Sequence, residues 1–215
     1  MNHVVILLAG KGSRFDKKID KSLVKIHDKY MFQYILETLA DNKNINSITM
    51  VVSKENKDEF AKILTFFKLH KTIKLIVGDE NFRIVSLDMA LNVIKPKDDD
   101  VVITLDGDRP FVTNKLVQES IDLAKNLGFS SASLPVYDSV INFTSYQDRS
   151  TLTLLQTPQS FVYKYFNKEY NKNGSDLISC MEWKLKAENL YHGDLKNFKI
   201  TTQDDLEFAK KIILK

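Results

Sequence analysis

The chain has 215 residues, 43% of them hydrophobic, enough to bury a sizeable core and near the upper end of one compact domain. Its net charge is +3 and its pI about 8.7, but 31 Lys and Arg are scattered among 28 Asp and Glu without a basic block, so nucleic acid is not an expected partner. Cys180 stands alone, which excludes an internal disulfide or cysteine-based zinc site, and the apolar start VVILLAG is too short to span a membrane, so a cytoplasmic location is expected.

Apolar runs bounded by turn signals predict strands at Val4–Leu8, Ile48–Val52, Ile73–Val77, Val101–Leu105 and Ser131–Val136. Between them, stretches of helical period predict helices at Tyr30–Leu39, Lys54–Phe67, Ile84–Ile94 and Lys115–Leu127, the last with Thr113 as N-cap and Gly128 at its close. The alternation predicts one α/β domain over residues 1–215, a doubly wound, mostly parallel sheet covered on both faces. The polar, poorly periodic stretch Tyr137–Arg149 (YDSVINFTSYQDR) predicts a short protruding arm or flap.

In such a sheet ligands sit beyond the carboxyl ends of the strands, where LLAGKGSRF falls. Gly10 and Gly12 let the backbone curve tightly and bring N–H groups close to a phosphate, while Ser13 and Arg14 add a hydroxyl and a planar cation. That combination suits a triphosphate. Phe15 stands where a dinucleotide fingerprint would need its third glycine, and no P-loop sequence exists, so a dehydrogenase is disfavoured.

LDGDRP follows the strand VVITL and places Asp106, Asp108 and Arg109 within four residues. Two acids so close repel unless a cation joins them, and hard oxygen ligands suit Mg²⁺, so Asp108 and Asp106 are the expected metal residues. The histidines His3, His27, His70 and His192 lack zinc spacing, and no serine sits in a nucleophile elbow. Trp183 and the stripe FVYKYFNKEY are expected to pack rather than bind.

LLAGKGSRF with DKSLVKI resembles the opening signature, A-A-G-x-G-x-R then P-K, of the cytidylyltransferases acting on methylerythritol phosphate and ribitol phosphate. Four more stretches resemble that family in order. GDENFRIVSLDMAL is similar to its glycine-acid-x-x-R-x-x-S-V segment and LDGDRPFV to H-D-A-x-R-P-F. QDRSTLTLLQTPQSF resembles D-R-x-x-L-x-x-Q-T-P-Q-x-F, and NFKITTQDDLEFA the closing K-I-T-x-x-D-L segment. Leu105 replaces the usual histidine and Asp108 a small residue, a shift toward the L-x-G-D-x-P metal segment of the broader sugar-nucleotidyltransferases.

The resemblance implies a Rossmann-like nucleotidyltransferase fold that binds CTP with Mg²⁺. It implies that Arg14, Lys21 and Lys199, the last at the end of a late strand, hold phosphates and stabilise the reacting phosphorus. Arg83 and Ser86 then lie near cytosine and ribose, with backbone groups of Leu8, Ala9 and Gly10 at the base edge. Asp106, Arg109, Asp138, Ser139, Arg149 and Thr157 are implied for the phosphorylated acceptor, and the arm for a homodimer. The segment SDLIS and the arm's Y-D-S lean the reading toward a polyol phosphate such as ribitol 5-phosphate, used in wall or capsule assembly. Methylerythritol 4-phosphate, in isoprenoid synthesis, is the alternative acceptor. A rival of another class is a regulatory domain that binds nucleotide without turnover.

Overall fold

The computed structural model describes residues 1–10, 15, 21–67, 71–166, 177–178 and 186–213. Val4, Val5 and Ile6 are buried on both sides, as an unbroken β-branched run requires, and form the middle of strand β1 (Asn2–Leu7). A short hairpin of β2 (Lys25–Ile26) and β3 (Lys29–Tyr30) leads into helix α1 (Met31–Ala40). Then follow β4 (Ser47–Val52), α2 (Lys57–Leu64), β5 (Ile73–Val77), α3 (Arg83–Ile94), β6 (Val101–Asp106), α4 (Asn114–Leu127) and β7 (Phe129–Pro135). The hairpin β8 (Val140–Asn142) and β9 (Ser145–Gln147) is the arm. β10 (Thr153–Val162), β11 (Leu190–His192) and helix α5 (Gln203–Ile212) complete the described elements.

The main sheet runs β11-β7-β10-β6-β1-β4-β5. β1 pairs in parallel with β4 and β6, β4 with β5, and β7 with β11, while β10 is antiparallel to both neighbours. Side chains alternate along each strand. Val4 and Ile6 therefore join one core with Phe32 and Leu36 of α1, Phe60 of α2 and Ile121 of α4, whereas Val5 joins the opposite core with Ile84 and Leu87 of α3 and Phe161 of β10.

The five predicted strands and four predicted helices form, with ends shifted by at most three residues and Ile73–Val77 unchanged. Thr113 Oγ1 accepts the Leu116 N–H, and Gly128 ends α4 at φ 88°, the left-handed region that favours glycine. α2 is shorter than predicted because its last turn tightens: the Phe66 and Phe67 N–H groups bond three residues back, to Ile63 and Leu64. β10 has no counterpart among the sequence expectations. Pro158 and a polar run obscure it, and the proline sits within the register shift between Gln156 and Gln159, where a missing N–H is tolerated. Two of its buried side chains are paired sideways: Ser160 Oγ lies 2.6 Å from Ser120 Oγ, and Gln159 Nε2 donates to Ser131 Oγ at 3.1 Å.

Register brings the ends of the strands level. Leu7 is opposite both Val51 and Asp106, and the Gly107 N–H bonds to the Leu7 carbonyl at 3.1 Å. Leu8 lies so close that a Cβ on Gly107 would stand 2.0 Å from Leu8 Cδ2. Glycine is thus required by the packing of one strand tail on the next. Gly107→Ala is expected to cost about 1–3 kcal/mol in denaturant unfolding through this overlap. Adding Leu8→Ala should recover part of the loss, and strictly additive losses would show that the contact is not the cause.

Candidate active site

The order of the sheet reverses between β1 and β6: the chain runs outward from β1 through β4 to β5, then returns to place β6 on the other side. Such a switch point opens a crevice. Here it is a cavity of about 260 Å³, walled by Leu8, Ala9 and Gly10 after β1, by Asp79 to Asn81 after β5 and by Gly107 and Asp108 after β6. A Cβ on Gly10 would meet no atom of the described residues within 4 Å, and the position leaves the backbone open to the cavity. Gly12, Ser13 and Arg14 lie outside the described residues, as do Trp183, Cys180, His70 and most of the stripe's later half.

Asp106, the last residue of β6, anchors the cavity floor. Its backbone N–H donates to Thr157 Oγ1 at 3.0 Å. Its carboxylate takes Arg83 Nη2 at 2.6 Å, Arg109 Nε at 3.1 Å and Lys199 Nζ at 3.5 Å. Burial alone would raise this carboxyl, but Arg83, Lys199 and Arg109 outweigh it and hold Asp106 well below the usual carboxylate range. Asp108 is arranged differently. Lys21, 7% exposed on the single turn Lys21–Leu23, places Nζ 2.6 Å from Asp108 Oδ2. Asp108 Oδ1 is buried without a hydrogen-bond donor among the described residues, and Lys199 Nζ stands 3.7 Å away.

Arg83 and Ser86 both line the cavity from the first turn of α3. Ser86 Oγ donates to the Asp79 carbonyl at 2.8 Å, and Asp79 Oδ1 accepts the Asn81 and Phe82 N–H groups, which fixes the turn into the helix. Lys199 belongs to no strand: β11 ends at His192, and an irregular segment carries the lysine, held by the Ile200 N–H to the Asp108 carbonyl at 2.9 Å. This corrects the expected late strand; the segment takes its bonds from the β6 tail and from α5 instead of from a sheet. Thr202 and Asp205 cap α5 reciprocally, and Asp205 Oδ2 accepts the Thr201 and Thr202 N–H groups at 2.7 and 2.8 Å.

The other expected residues are not gathered in the cavity wall. Arg109, 9% exposed, lies behind Asp106 and spends its remaining donors on the carbonyls of Asn197 at 2.8 Å and Leu155 at 3.5 Å. Thr157 is buried beneath Asp106. Asp138, Ser139 and Arg149 are exposed around the arm, with Arg149 Nη1 donating to the Tyr137 carbonyl. Sequence reasoning did not single out Ser22, Met31, Asp79, Glu80, Asn81 or Thr201, which also line the cavity. Only the acid after Gly78 and the threonine after KI carried a signal, as parts of the quoted motifs.

No group of three or more His, Cys, Asp or Glu side chains converges to hold a metal among the described residues. A divalent cation nevertheless fits one place. Asp108 Oδ1 is a buried hard oxygen without a hydrogen-bond donor among the described residues, whereas Asp106 is surrounded by three cations. Asp108 would then be the protein ligand, with water and substrate oxygens supplying the rest, as is usual for Mg²⁺.

A cleft of this kind can grip phosphate oxygens and offset the charge that spreads over a phosphorus under attack; the chain is a nucleotidyltransferase. The family model described as 2-C-methyl-D-erythritol 4-phosphate cytidylyltransferase (IspD) matches residues 2–215, and the chain belongs to that family of CTP-dependent enzymes. A relative of that name from Clostridium tetani is 34% identical over 226 residues, covering 100% of this chain and 91% of its own. One from Clostridium perfringens is 31% identical, with 97% of each chain covered. The solved 4-diphosphocytidyl-2C-methyl-D-erythritol synthase of Anaerococcus prevotii superposes with a TM-score of 0.81 at 24% identity, over 100% of this chain and 96% of that one. The Francisella tularensis cytidylyltransferase gives 0.78 at 24% identity, with 98% of each covered. At such identities the structures speak for the fold. No helix among the described residues is long and apolar enough to cross a membrane.

The Asp205 cap yields a test with a defined sign. Burial tends to raise its carboxyl, but the N–H groups of Thr201 and Thr202, with the Thr202 hydroxyl and Lys21, outweigh it and lower it below the ordinary value. Its contribution is therefore complete above the unfolded value of about 3.9 and lost as pH falls through the lower folded value. Asp205→Asn is expected to lose about 0.5–2 kcal/mol at pH 7, and the gap to the parent should close on acidification toward pH 2. A gap independent of pH in paired unfolding curves would remove the charged cap as its source.

Proposed function

We propose that the chain transfers a cytidylyl group from CTP to 2-C-methyl-D-erythritol 4-phosphate, releasing pyrophosphate and forming 4-diphosphocytidyl-2-C-methyl-D-erythritol, a step of isoprenoid synthesis in the cytoplasm. The observation that carries the acceptor is the family match over residues 2–215, with relatives of that name covered almost end to end. The lean toward ribitol 5-phosphate and wall or capsule assembly finds no specific support in these relatives. No observation favours a regulatory domain without turnover.

In this reading the whole chain works as one catalytic domain. Phosphates of CTP lie over the tail of β1, against backbone N–H groups from Ala9 and Gly10 through Gly12 and Ser13. Arg83 and Ser86 face the ribose and base, and Leu8 contributes backbone at the base edge. An oxygen of the acceptor phosphate, already anionic at neutral pH and in need of no general base, attacks the α-phosphorus in line. The bond to the β-phosphate oxygen breaks, and pyrophosphate leaves with its electron pair. Lys21, Lys199 and Arg14 offset the negative charge that builds on the equatorial and leaving oxygens. Mg²⁺ on Asp108, with Asp106 nearby, would supply Lewis-acid stabilisation of those phosphate oxygens when bound.

Asp106 also serves the acceptor side, where Arg109 and Thr157 hold its carboxylate and backbone in place. Asp138, Ser139 and Arg149 reach an acceptor through the arm. The hairpin bares Ile141, Phe143 and Tyr146, with Phe143 97% exposed, which supports a homodimer in which each arm covers the other copy's cleft.

Pyrophosphate release followed with CTP, Mg²⁺ and either acceptor tests the assignment. Methylerythritol phosphate is expected to give the higher kcat/KM, and a higher value for ribitol 5-phosphate would overturn it. Lys21→Ala should lower kcat by about 100-fold or more with a nearly unchanged melting curve; near-normal turnover would remove Lys21 from the chemistry. Gly10→Ala, which meets no atom of the described residues, should leave the melting curve in place and raise the KM for CTP. An unchanged KM would place the phosphates elsewhere.

A further inference from the structure

Lys199 sits on the irregular segment between β11 and α5, where neither a sheet ladder nor a helix fixes the backbone, so its place must be set by other means. The Gly193 N–H still bonds to the Ser133 carbonyl of β7 at 2.8 Å. Beyond it a side chain from another strand takes over. Gln156 Nε2 donates to the carbonyls of Asp194 at 3.1 Å and Asn197 at 3.2 Å, and Gln156 Oε1 accepts the Asp194 N–H at 3.2 Å. The amide thus spends both hydrogens and its oxygen on three backbone groups of the segment, much as a neighbouring strand would spend its peptides.

Gln156 reaches the segment because of where it stands. It is the last residue of β10 in the first register with β7, opposite Ala132, before the shift that sets Gln159 opposite Ser131. Gly193 makes room for it: a Cβ there would stand 2.5 Å from Gln156 Oε1. Asn197, which is fully buried, carries the hold forward. Its carbonyl also accepts Arg109 Nη1 at 2.8 Å, and its Nδ2 donates to the Thr157 carbonyl at 2.8 Å. Arg109 in turn grips Asp106 at 3.1 Å, while the Ile200 N–H pins the far side to the Asp108 carbonyl at 2.9 Å. Lys199 lies between these two fixed points, with Nζ 3.5 Å from Asp106 and 3.7 Å from Asp108.

Resting on the cytidylyltransferase reading, in which Lys199 offsets charge at the reacting phosphorus, we propose that Gln156 is a positioning residue for that lysine: its amide clamps residues 194–197 and so sets where Lys199 Nζ enters the cleft. Gln156 does not line the cavity, so its effect on the reaction passes through the segment. A group misplaced by about 1 Å from the reacting centre can cost about 100-fold in rate, which gives hydrogen bonds outside the cavity leverage on the chemical step. Nucleotide affinity, carried mainly by the other walls of the cleft, moves little.

The test is a double-mutant cycle on the full chain, read in kcat and in the KM for CTP with Mg²⁺ and methylerythritol phosphate, using labelled CTP so that slow variants remain measurable. Gln156→Met, which keeps the length and removes the amide, should lower kcat about tenfold and change KM by about threefold or less, the pattern of an interaction made in the transition state. In the Lys199→Ala background the same substitution should lower kcat by about twofold or less, because the residue through which it acts is gone. Equal proportional losses in both backgrounds, or near-parent kcat in Gln156→Met, overturn the proposal and leave the cytidylyltransferase reading intact. Near-normal turnover in Lys199→Ala would remove Lys199 from the chemistry and the proposal with it. Absence of pyrophosphate release by the parent protein with either acceptor would instead overturn the cytidylyltransferase reading and all that rests on it. Melting curves confirm that the variants are folded, and Gln156→Asn, which keeps the amide but shortens its reach, takes the place of Gln156→Met where that variant is not.

Discussion

The carboxylate of Asp106 gathers cations from three parts of the chain: Arg83 from the start of α3, Arg109 from the turn after β6, and Lys199 from the irregular segment before α5. Each is far from at least one of the others in sequence; Arg83 and Lys199 line the cleft, and Arg109 braces the carboxylate from behind. A carboxylate buried in this way stays ionised because the cations surround it, and removing any one leaves its charge less fully compensated. The same contact that stabilises the ion therefore fixes the relative positions of the nucleotide side, the sheet end and the C-terminal segment. Thr157 completes the arrangement from below by accepting the backbone N–H of the same residue.

Asp108, two positions on, lies under opposite conditions. It shares Lys21 and the outer reach of Lys199, and retains an oxygen with no hydrogen-bond donor among the described residues. Two acids in one six-residue motif thus divide the work. One is satisfied within the protein and gives rigidity; the other is satisfied only in part and gives a demand for something from outside. This division explains why the cleft can be stable when empty of substrate yet remain electrostatically unfinished.

Much of this was legible in residue order. Strands such as Val101–Asp106 are largely apolar runs, and α4 carries helical periodicity with Thr113 and Gly128 as its caps. The carboxyl-end rule and the family resemblance together pointed to Gly10, Lys21, Arg83, Asp106 and Asp108, and all five line one cavity. β10 was hidden because its burial rests on serines and glutamine paired to neighbouring polar groups, a solution that hydrophobic pattern does not reveal. Arg109 and Thr157 carried motif signals, but no one-dimensional pattern tells whether an arginine faces a ligand or turns back onto a carbonyl. The partners of Lys199 are Asp106 and Asp108, more than ninety positions away, and only the folded β6 tail brings them within reach.

The fit of Leu8 against Gly107 also constrains how such a chain can diverge. The related pattern carries alanine at both places, in A-A-G and in H-D-A, whereas here one position has grown and the other has shrunk. Either change alone meets a penalty, overlap in one order and an unfilled gap in the other. A lineage moving between the two pairings passes through a handicapped ancestor, or changes both codons within a short interval. Leu8 and Gly107 thus form one packing unit, in which a change at either position bears on the other.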